Sequence, residues 1–478
     1  MRVFYPHKVT HPQYLITFAR LLNTGEHTLS MPEKLFGTDG VRGVANTELT
    51  PALALALGAS AAHTLGRGHT PRFIIGRDTR VSGTLLESAL AAGLCSMGAQ
   101  VVTAGVVPTP AVASIARTQN FDAGIVISAS HNPFADNGIK FFGGDGYKLD
   151  DALEAEIEAQ LAQVEMWDRP SGAAVGRLAH DTGLAGLYAG HLEGTLEGIS
   201  LAGMKIVLDG ANGANFALAP RVVSDLGAEV VALNCAPNGI NINADCGSLH
   251  PEEMMRRTVS EGADLGLAFD GDADRVILSD EQGRKVDGDR VMLLVGRHLA
   301  AQGRLANNTV VGTIMSNMGL EVALRETGLT LLRTAVGDRY VSEAMRRDGH
   351  VLGGEKSGHL IFGHLTTTGD GLLTALQVLK VMRETGQSLS ALADQMTEYP
   401  QVLLGVKVRD RQSWASDPDI GKAIKAAEAQ LAGRGRLNVR ASGTEKLVRV
   451  MAEGPDQAEI DVLAHEITAL VQKKVGAA

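Results

Sequence analysis

Cysteine is scarce in this chain of 478 residues: only Cys95, Cys235 and Cys246 occur. None belongs to a CxxC pair, and the odd count argues against a disulfide framework. A reducing cytoplasm is therefore the expected setting. Basic charge is also in deficit. The formal net charge is −10, which speaks against general affinity for nucleic acid. No run approaches the ~20 apolar residues that a membrane-spanning helix requires. No Walker A and no GxGxxG motif occurs, so nucleotide binding has no footing, and no GxSxG elbow presents a serine for acyl transfer. What is present is the composition of a globular protein, 45% hydrophobic and 21% charged. The length exceeds one hydrophobic core and points to roughly three or four domains.

The first thirty residues, "MRVFYPHKVTHPQYLITFARLLNTGEHTLS", stand apart. Arg20 interrupts their one apolar run, and no small-residue cleavage site follows, so they do not read as a signal peptide. They form an extension, unless translation starts at Met31.

Beyond them, short apolar strands alternate with amphipathic helices, the pattern of α/β units. Expected strands include 72–78, 100–105, 123–130, 205–210, 229–234, 265–270, 309–314, 330–336 and 350–355, with a helix over 153–164. Three strands run into polar loops of unusual composition: "SASHNP" after "GIVI", "DGDADR" after "GLAF" and "GEKSGH" after "VLGG". Ligands of open α/β sheets bind beyond the carboxyl ends of strands, so the three loops are expected to face one cleft. The last segment differs: "RLNVR" and "LVRVMAE" flank "ASGTEK", and a helix follows. Its apolar stripe, Ile460, Leu463, Ala464, Ile467, Leu470 and Val471, has helical spacing and reads as core. Asp456 with Glu459 three residues on suits its N-terminal cap.

In "LGLAFDGDADRVILSDE" the carboxylates Asp270, Asp272 and Asp274 alternate. Three like charges so close repel unless a cation lies among them, and oxygen ligands suit a hard ion such as Mg²⁺ or Ca²⁺. A calcium-binding EF-hand loop would need glycine where Arg275 stands, and helices on both sides rather than strands. An aspartyl-phosphatase site with Asp270 as nucleophile stays open at this point. "ISASHNPFADNGIKFF" supplies Ser128, Ser130, His131 and Lys140, either as a plain turn or as a loop presenting Ser130 as a nucleophile. In "RASGTE", Ser442, Gly443 and Thr444 between Arg440 and Arg449 form a cradle suited to phosphate, or an ordinary hairpin connection. Glu355, Ser357 and His359 stand on a glycine-rich loop and could hydrogen-bond sugar hydroxyls.

Taken in order, "ASHNP", "DGDADR", "GEKSGH" and "RASGTE" resemble the motifs of the α-D-phosphohexomutase superfamily. "KLFGTDGVRG", "TIMSNMGL" and "VGDRYV" are similar to those of its bacterial phosphoglucosamine mutase family. The resemblance runs from Met31 to the C-terminus. It departs at Lys356, where the family more often has Gln.

The resemblance implies an α/β fold: three similar α/β domains with mixed sheets plus a smaller α+β C-terminal domain around a central cleft. The expected divisions are an extension at 1–30, a phosphoserine domain at 31–185 and a metal-loop domain at 186–288. A sugar-loop domain at 289–396 and a phosphate-loop domain at 397–478 complete the chain. It implies Mg²⁺ held by Asp270, Asp272, Asp274 and an oxygen on Ser130. It implies catalytic roles for Ser130, Arg42, His131, Lys140 and Arg275. Glu355 and Ser357 would hold the sugar, and Arg440, Ser442, Gly443, Thr444 and Arg449 the phosphate that does not react. The implied activity interconverts glucosamine 6-phosphate and glucosamine 1-phosphate through a phosphoserine and a hexose 1,6-bisphosphate, on the route to UDP-N-acetylglucosamine and peptidoglycan precursors. The fourth domain is expected to close over the cleft and exclude water. A homodimer is admissible; neither nucleic acid nor membrane is an expected partner. The alternatives are a phosphomannomutase or phosphoglucomutase of the same superfamily, and a non-catalytic, metal-dependent sugar-phosphate binding protein.

Overall fold

The structure, a computed structural model, describes residues 35–37, 39–410, 412–442 and 446–477. The extension at 1–30 and the cradle residues Gly443 and Thr444 lie outside the described residues.

Four sheets follow one another along the chain. The first holds β1 (Val41–Val44), β2 (Arg72–Arg77), β3 (Gln100–Val106), β4 (Ala123–Ile127), β5 (Asp136–Gly143) and β6 (Arg177–His180). The second holds β7 (Lys205–Asp209), β8 (Glu229–Leu233), β9 (Leu265–Phe269), β10 (Val276–Asp280) and β11 (Lys285–Val286). The third holds β12 (Thr309–Thr313), β13 (Thr330–Thr334), β14 (Leu352–Gly354) and β15 (Leu360–Phe362). The fourth holds β16 (Gln401–Lys407), β17 (Arg436–Ala441) and β18 (Leu447–Glu453).

The first three sheets repeat one topology. Their shared core runs β5-β4-β2-β3, β10-β9-β7-β8 and β15-β14-β12-β13. In each, three strands are parallel and the fourth folds back antiparallel on the strand before it. β4 and β9 are buried along their whole length, as parallel strands covered on both faces are. The connection from the parallel strand to its antiparallel neighbour carries Ser130, the aspartates or Glu355, so the topology places the three motif loops at equivalent points. The fourth sheet is antiparallel, in the order β16-β18-β17, with helices Pro418–Leu431 and Gln457–Val475 supplying its cover.

Two local features make the packing possible. Helices Pro51–Leu65 and Gly83–Ser96 meet backbone to backbone, because a Cβ on Gly58 would lie 2.3 Å from the Leu90 carbonyl and one on Gly93 2.0 Å from that of Leu55. Helix Gly371–Thr385 is buried continuously from Gly371 to Met382, its buried Gln377 and Lys380 bonding Thr195 and Glu197. It runs through a hydrophobic cluster that includes Ile74, Leu208, Phe269, Leu293 and Val310, so the first three domains share one core.

The expected strands form at or within two residues of their anticipated ends, save that the strand expected over 123–130 runs into its loop and stops at Ile127. The helix expected over 153–164 spans Asp151–Gln160 and tightens to a 3₁₀ turn over Leu161–Met166. Asp456 caps the last helix by accepting from Ala458 N and Glu459 N, whereas the Glu459 carboxylate turns to Arg434 and Gln430.

Candidate active site

The β4–β5 loop leaves its strand through Ser128 and Ala129, and Ser130 adopts a left-handed backbone with φ of +51°. Such a conformation is costly for a residue with a Cβ and clusters at functional positions. It aims the Ser130 hydroxyl across the domain boundary, where Oγ donates to Asp270 Oδ2 at 2.6 Å. His131 Nδ1 lies 3.3 Å from the same Oγ and accepts from Arg275 Nη1 at 3.2 Å.

Asp270, Asp272 and Asp274 offer one oxygen each within 4.8 Å of one another, and all three are buried. Burial, reinforced by Asp274 and Asp272, pushes the Asp270 carboxyl well above the carboxylate range. Burial acts the same way on Asp272, but Lys140 outweighs it and holds that carboxyl low. Lys140 Nζ donates to Asp272 Oδ2 at 2.6 Å and lies 3.9 Å from Asp274. Thr109 adds its hydroxyl to Asp272 Oδ2 at 2.7 Å. Asp272 Oδ1 and Asp274 Oδ1 nevertheless remain buried without a hydrogen-bond partner. Buried charge needs a partner, so two orphaned oxygens in an all-oxygen donor set fit a hard metal ion.

Positive charge surrounds the cluster. Arg275 stands with Nε 3.8 Å from Asp274, and its backbone N–H donates to Asp270 Oδ1 at 3.1 Å. Arg42 bonds Asp39 at 3.2 Å and acts electrostatically on both Asp272 and His131. Burial, followed by Arg275 and Arg42, lowers the His131 pKa.

The third loop docks against the metal hairpin. Val276 N donates to the Gly358 carbonyl at 3.2 Å, and a Cβ on Gly358 would strike Val276 O at 2.1 Å. Glu355 accepts from Gly337 N at 3.1 Å and acts on Arg275; Ser357 is exposed. Lys356 points to Glu398, at 2.8 Å, and toward Asp287, at 3.7 Å. Its charge is thus spent on the connection to the fourth sheet.

Of the residues anticipated from the sequence, Ser130, His131, Lys140, Arg275 and the aspartates lie together, with Arg42 and Glu355 at the margin. Arg440 and Arg449 stand on the separate fourth sheet, and Ser442 directly follows its strand β17. There Arg440 and Arg449 face each other directly across β17 and β18. Burial, and then Arg449, lowers the Arg440 pKa. Two like charges directly opposed across strands repel each other.

Lys148, Asp39, Asp338 and Arg80 were not anticipated from the sequence, while His359 was read there only as a candidate sugar contact. Lys148 Nζ bridges Asp39, at 2.7 Å, and Asp338 of the third domain, at 2.6 Å. Buried His359 sits 3.6 Å from Asp338 and 3.8 Å from Asp274. The fully buried Arg80 bonds the carbonyls of the Ser130 loop. Two of the unanticipated groups lay inside motifs already singled out, Asp39 in "KLFGTDGVRG" and Asp338 in "VGDRYV".

The phosphoglucomutase/phosphomannomutase family models for α/β/α domains I, II and III match residues 33–166, 187–283 and 287–399, and that for the C-terminal domain matches 403–470. Phosphoglucosamine mutase of Desulforamulus reducens is 53% identical over 442 residues, covering 92% of this chain and 99% of the relative. That of Syntrophotalea carbinolica is 51% identical over 451 residues, covering 93% and 99%. Among solved structures, a phosphoglucomutase/phosphomannomutase family protein from Burkholderia thailandensis superposes with a TM-score of 0.77 at 24% identity, covering 93% of this chain and 99% of the other. Aspergillus fumigatus N-acetylphosphoglucosamine mutase, in complex with GlcNAc-6P and magnesium, superposes with a TM-score of 0.67 at 19% identity, covering 92% and 95%.

Proposed function

The chain belongs to the phosphoglucosamine mutases of the α-D-phosphohexomutase superfamily, and we propose that it interconverts glucosamine 6-phosphate and glucosamine 1-phosphate. The reaction class is isomerisation by phosphoryl transfer. Ser130 carries the phosphoryl group. In the forward direction its Oγ–P bond breaks as a bond forms from phosphorus to O1 of glucosamine 6-phosphate; O1 gives up its proton and Oγ takes one. The resulting 1,6-bisphosphate turns over in the cleft and returns its 6-phosphoryl group to Ser130. The product feeds the synthesis of UDP-N-acetylglucosamine and peptidoglycan precursors.

The observation that carries this reading is the contact of Ser130 Oγ with Asp270 inside a buried triad of aspartates. Asp270, Asp272, Asp274 and Ser130 Oγ would hold Mg²⁺, which offsets negative charge on a transferring phosphoryl group. Lys140 and Arg275 add fixed positive charge beside the same oxygens, and stabilisation of that kind is commonly the largest catalytic contribution. Glu355 and Ser357 orient the sugar through its hydroxyls, and Arg42 and His131 line the approach to Ser130. Arg440, Ser442, Gly443, Thr444 and Arg449 hold the phosphate that is not reacting, and must accept it from either end of the sugar. The domain divisions anticipated from the sequence serve this scheme, one motif loop from each domain. A cytoplasmic enzyme suits the three free cysteines, and among the described residues no helix is long and apolar enough to cross a membrane.

The test is a coupled assay offering glucosamine 6-phosphate, glucose 1-phosphate and mannose 1-phosphate to the same preparation. The expected result is the highest kcat/KM with glucosamine 6-phosphate. A clear preference for mannose 1-phosphate would reassign the protein within the superfamily.

A further inference from the structure

Ser130 has a sterically costly left-handed backbone, and hydrogen bonds to both its carbonyl and its amide hold it there. The Ser130 carbonyl accepts two hydrogen bonds, from Arg80 Nη2 and from Asn243 Nδ2, each at 2.9 Å. The same two nitrogens reach the Asn132 carbonyl, at 2.8 and 3.2 Å. Arg80 belongs to the same domain as the loop. Its guanidinium also donates to the carbonyls of Pro133 and of Asp136, the latter at 3.0 Å, and its Nε bonds Asp78 at 2.8 Å. Asp78 accepts from Ser128 Oγ at 2.6 Å, and Ser128 Oγ accepts from Ser130 N at 2.9 Å. Both the amide and the carbonyl of Ser130 are therefore tied.

Asn243 differs from Arg80 in one respect: it comes from the second domain, 113 residues away in the chain. It stands against the metal loop, because a Cβ on Gly271 would fall 2.5 Å from Ser130 O and 2.8 Å from Asn243 Nδ2. One side-chain amide thus meets the serine loop exactly where the aspartate loop packs on it.

We propose that Asn243 is a positioning residue for phosphoryl transfer: by holding the Ser130 carbonyl to the metal-loop domain, it sets where Ser130 Oγ points. Bonds to the amide and the carbonyl together fix φ and ψ of Ser130 and so the direction of its Cα–Cβ bond; without Asn243 the carbonyl keeps Arg80 of its own domain but loses its tie to the second domain, which loosens the 2.6 Å register of the hydroxyl with Asp270. Reacting groups displaced by about 1 Å lose on the order of 100-fold in rate. Substrate binding is untouched by such a displacement, because the groups assigned to the sugar and its distal phosphate lie on other loops. The proposal rests on Ser130 as the phosphoryl carrier.

Asn243 itself has φ of +56°, so Asn243→Gly removes the amide without straining the backbone. Asn243→Asp keeps the shape and removes both donors. The full-length variants are treated with glucose 1,6-bisphosphate, the phosphate on Ser130 is counted by peptide mass spectrometry, and kcat and KM for glucosamine 6-phosphate are taken per phosphorylated molecule. The expected outcome is kcat lowered about 10- to 100-fold, with KM within about threefold of wild type and a cooperative thermal transition retained. A kcat within twofold of wild type in both variants overturns the proposal. So does a raised KM at unchanged kcat, which would make Asn243 a binding group. Loss of folding in both variants overturns it too, since the residue would then serve the fold. Ser130→Ala is run alongside: activity there would overturn the assignment of Ser130 beneath the proposal, and is read separately from the Asn243 ratios.

Discussion

At the Ser130 end of the cleft, three domains converge on a buried knot in which key polar side chains are held by groups of another domain. Ser130 bonds Asp270, Lys140 and Thr109 bond Asp272, Lys148 bonds Asp338, and Val276 bonds Gly358. At the Arg440 end, a three-stranded sheet with its own core is joined to the rest largely at its edge. Arg436 grips Glu453 at 2.5 Å and the carbonyls of Ile314 and Ser316 at 2.7 and 2.6 Å, while Glu453 caps Met318 N at 2.9 Å. The difference follows from what each end is proposed to do. A transfer step depends on sub-ångström placement, which packed and bonded atoms supply. A cradle that must take phosphate from either end of a sugar needs strong charge but less fixed geometry.

The contrast can be broken most severely at Ser130. Ser130→Ala should lower kcat by about 10⁴-fold or more, and glucose 1,6-bisphosphate should restore unphosphorylated wild type but not the variant. Finding the phosphate of active enzyme on Ser128 or Asp270 by mass spectrometry would relocate the centre of the knot.

Asp272→Asn should follow, with kcat reduced about 10²- to 10³-fold and Mg²⁺ affinity, measured by calorimetry, weakened in parallel. The circular dichroism spectrum should not change, since the amide retains an oxygen for Lys140 and Thr109. Turnover equal to wild type would show that the triad is not where charge is managed.

At the other end the expected signature changes kind. Arg440→Ala removes charge-assisted hydrogen bonds worth about 1.5–3 kcal/mol, so KM should rise roughly 10- to 100-fold while kcat stays within a few-fold. A collapse of kcat at constant KM would erase the distinction between the two ends.

The mildest effect concerns what the buried end costs. Asp370 caps helix Gly371–Thr385 behind the metal loop, accepting from Leu373 N at 2.9 Å and from Tyr188 Oη at 2.7 Å. Burial pushes its carboxyl up to about 6. The native state therefore holds this proton more tightly than the unfolded chain. The group lowers stability as pH rises from about 4 to about 6, and the penalty is complete above that. Asp370→Asn lacks the penalty, so the variant should gain on wild type across this window, by on the order of 2–3 kcal/mol in urea unfolding. A difference that is flat between pH 4 and 7 would contradict the assignment.

Much of this was legible in the chain itself. The buried strands announce themselves because parallel strands covered on both faces are continuous apolar runs, as "GIVI" and "GLAF" are. The aspartates announce themselves because three alternating carboxylates have no stable arrangement without a cation. Lys356, the departure from the family's usual Gln, turns away to pair with Glu398 and Asp287, partners that its own loop did not reveal. Arg80 and Asn243 carried no signal, since an arginine after a strand and an asparagine in a turn-rich stretch are ordinary.

By itself the sequence determined the fold class, the four motif loops and the acidic triad, because each is a property of residues within a few positions of one another, whereas Ser130, buried in the structure, was singled out only through the family resemblance. Only the tertiary structure decided which groups hold those loops. Lys140 reaches Asp272 across 132 residues, Lys148 reaches Asp338 across 190, and Asn243 reaches Ser130 across 113. Such pairs are set by how three sheets of one topology pack around a shared core, and packing between distant segments leaves no periodicity or spacing in the chain to be read.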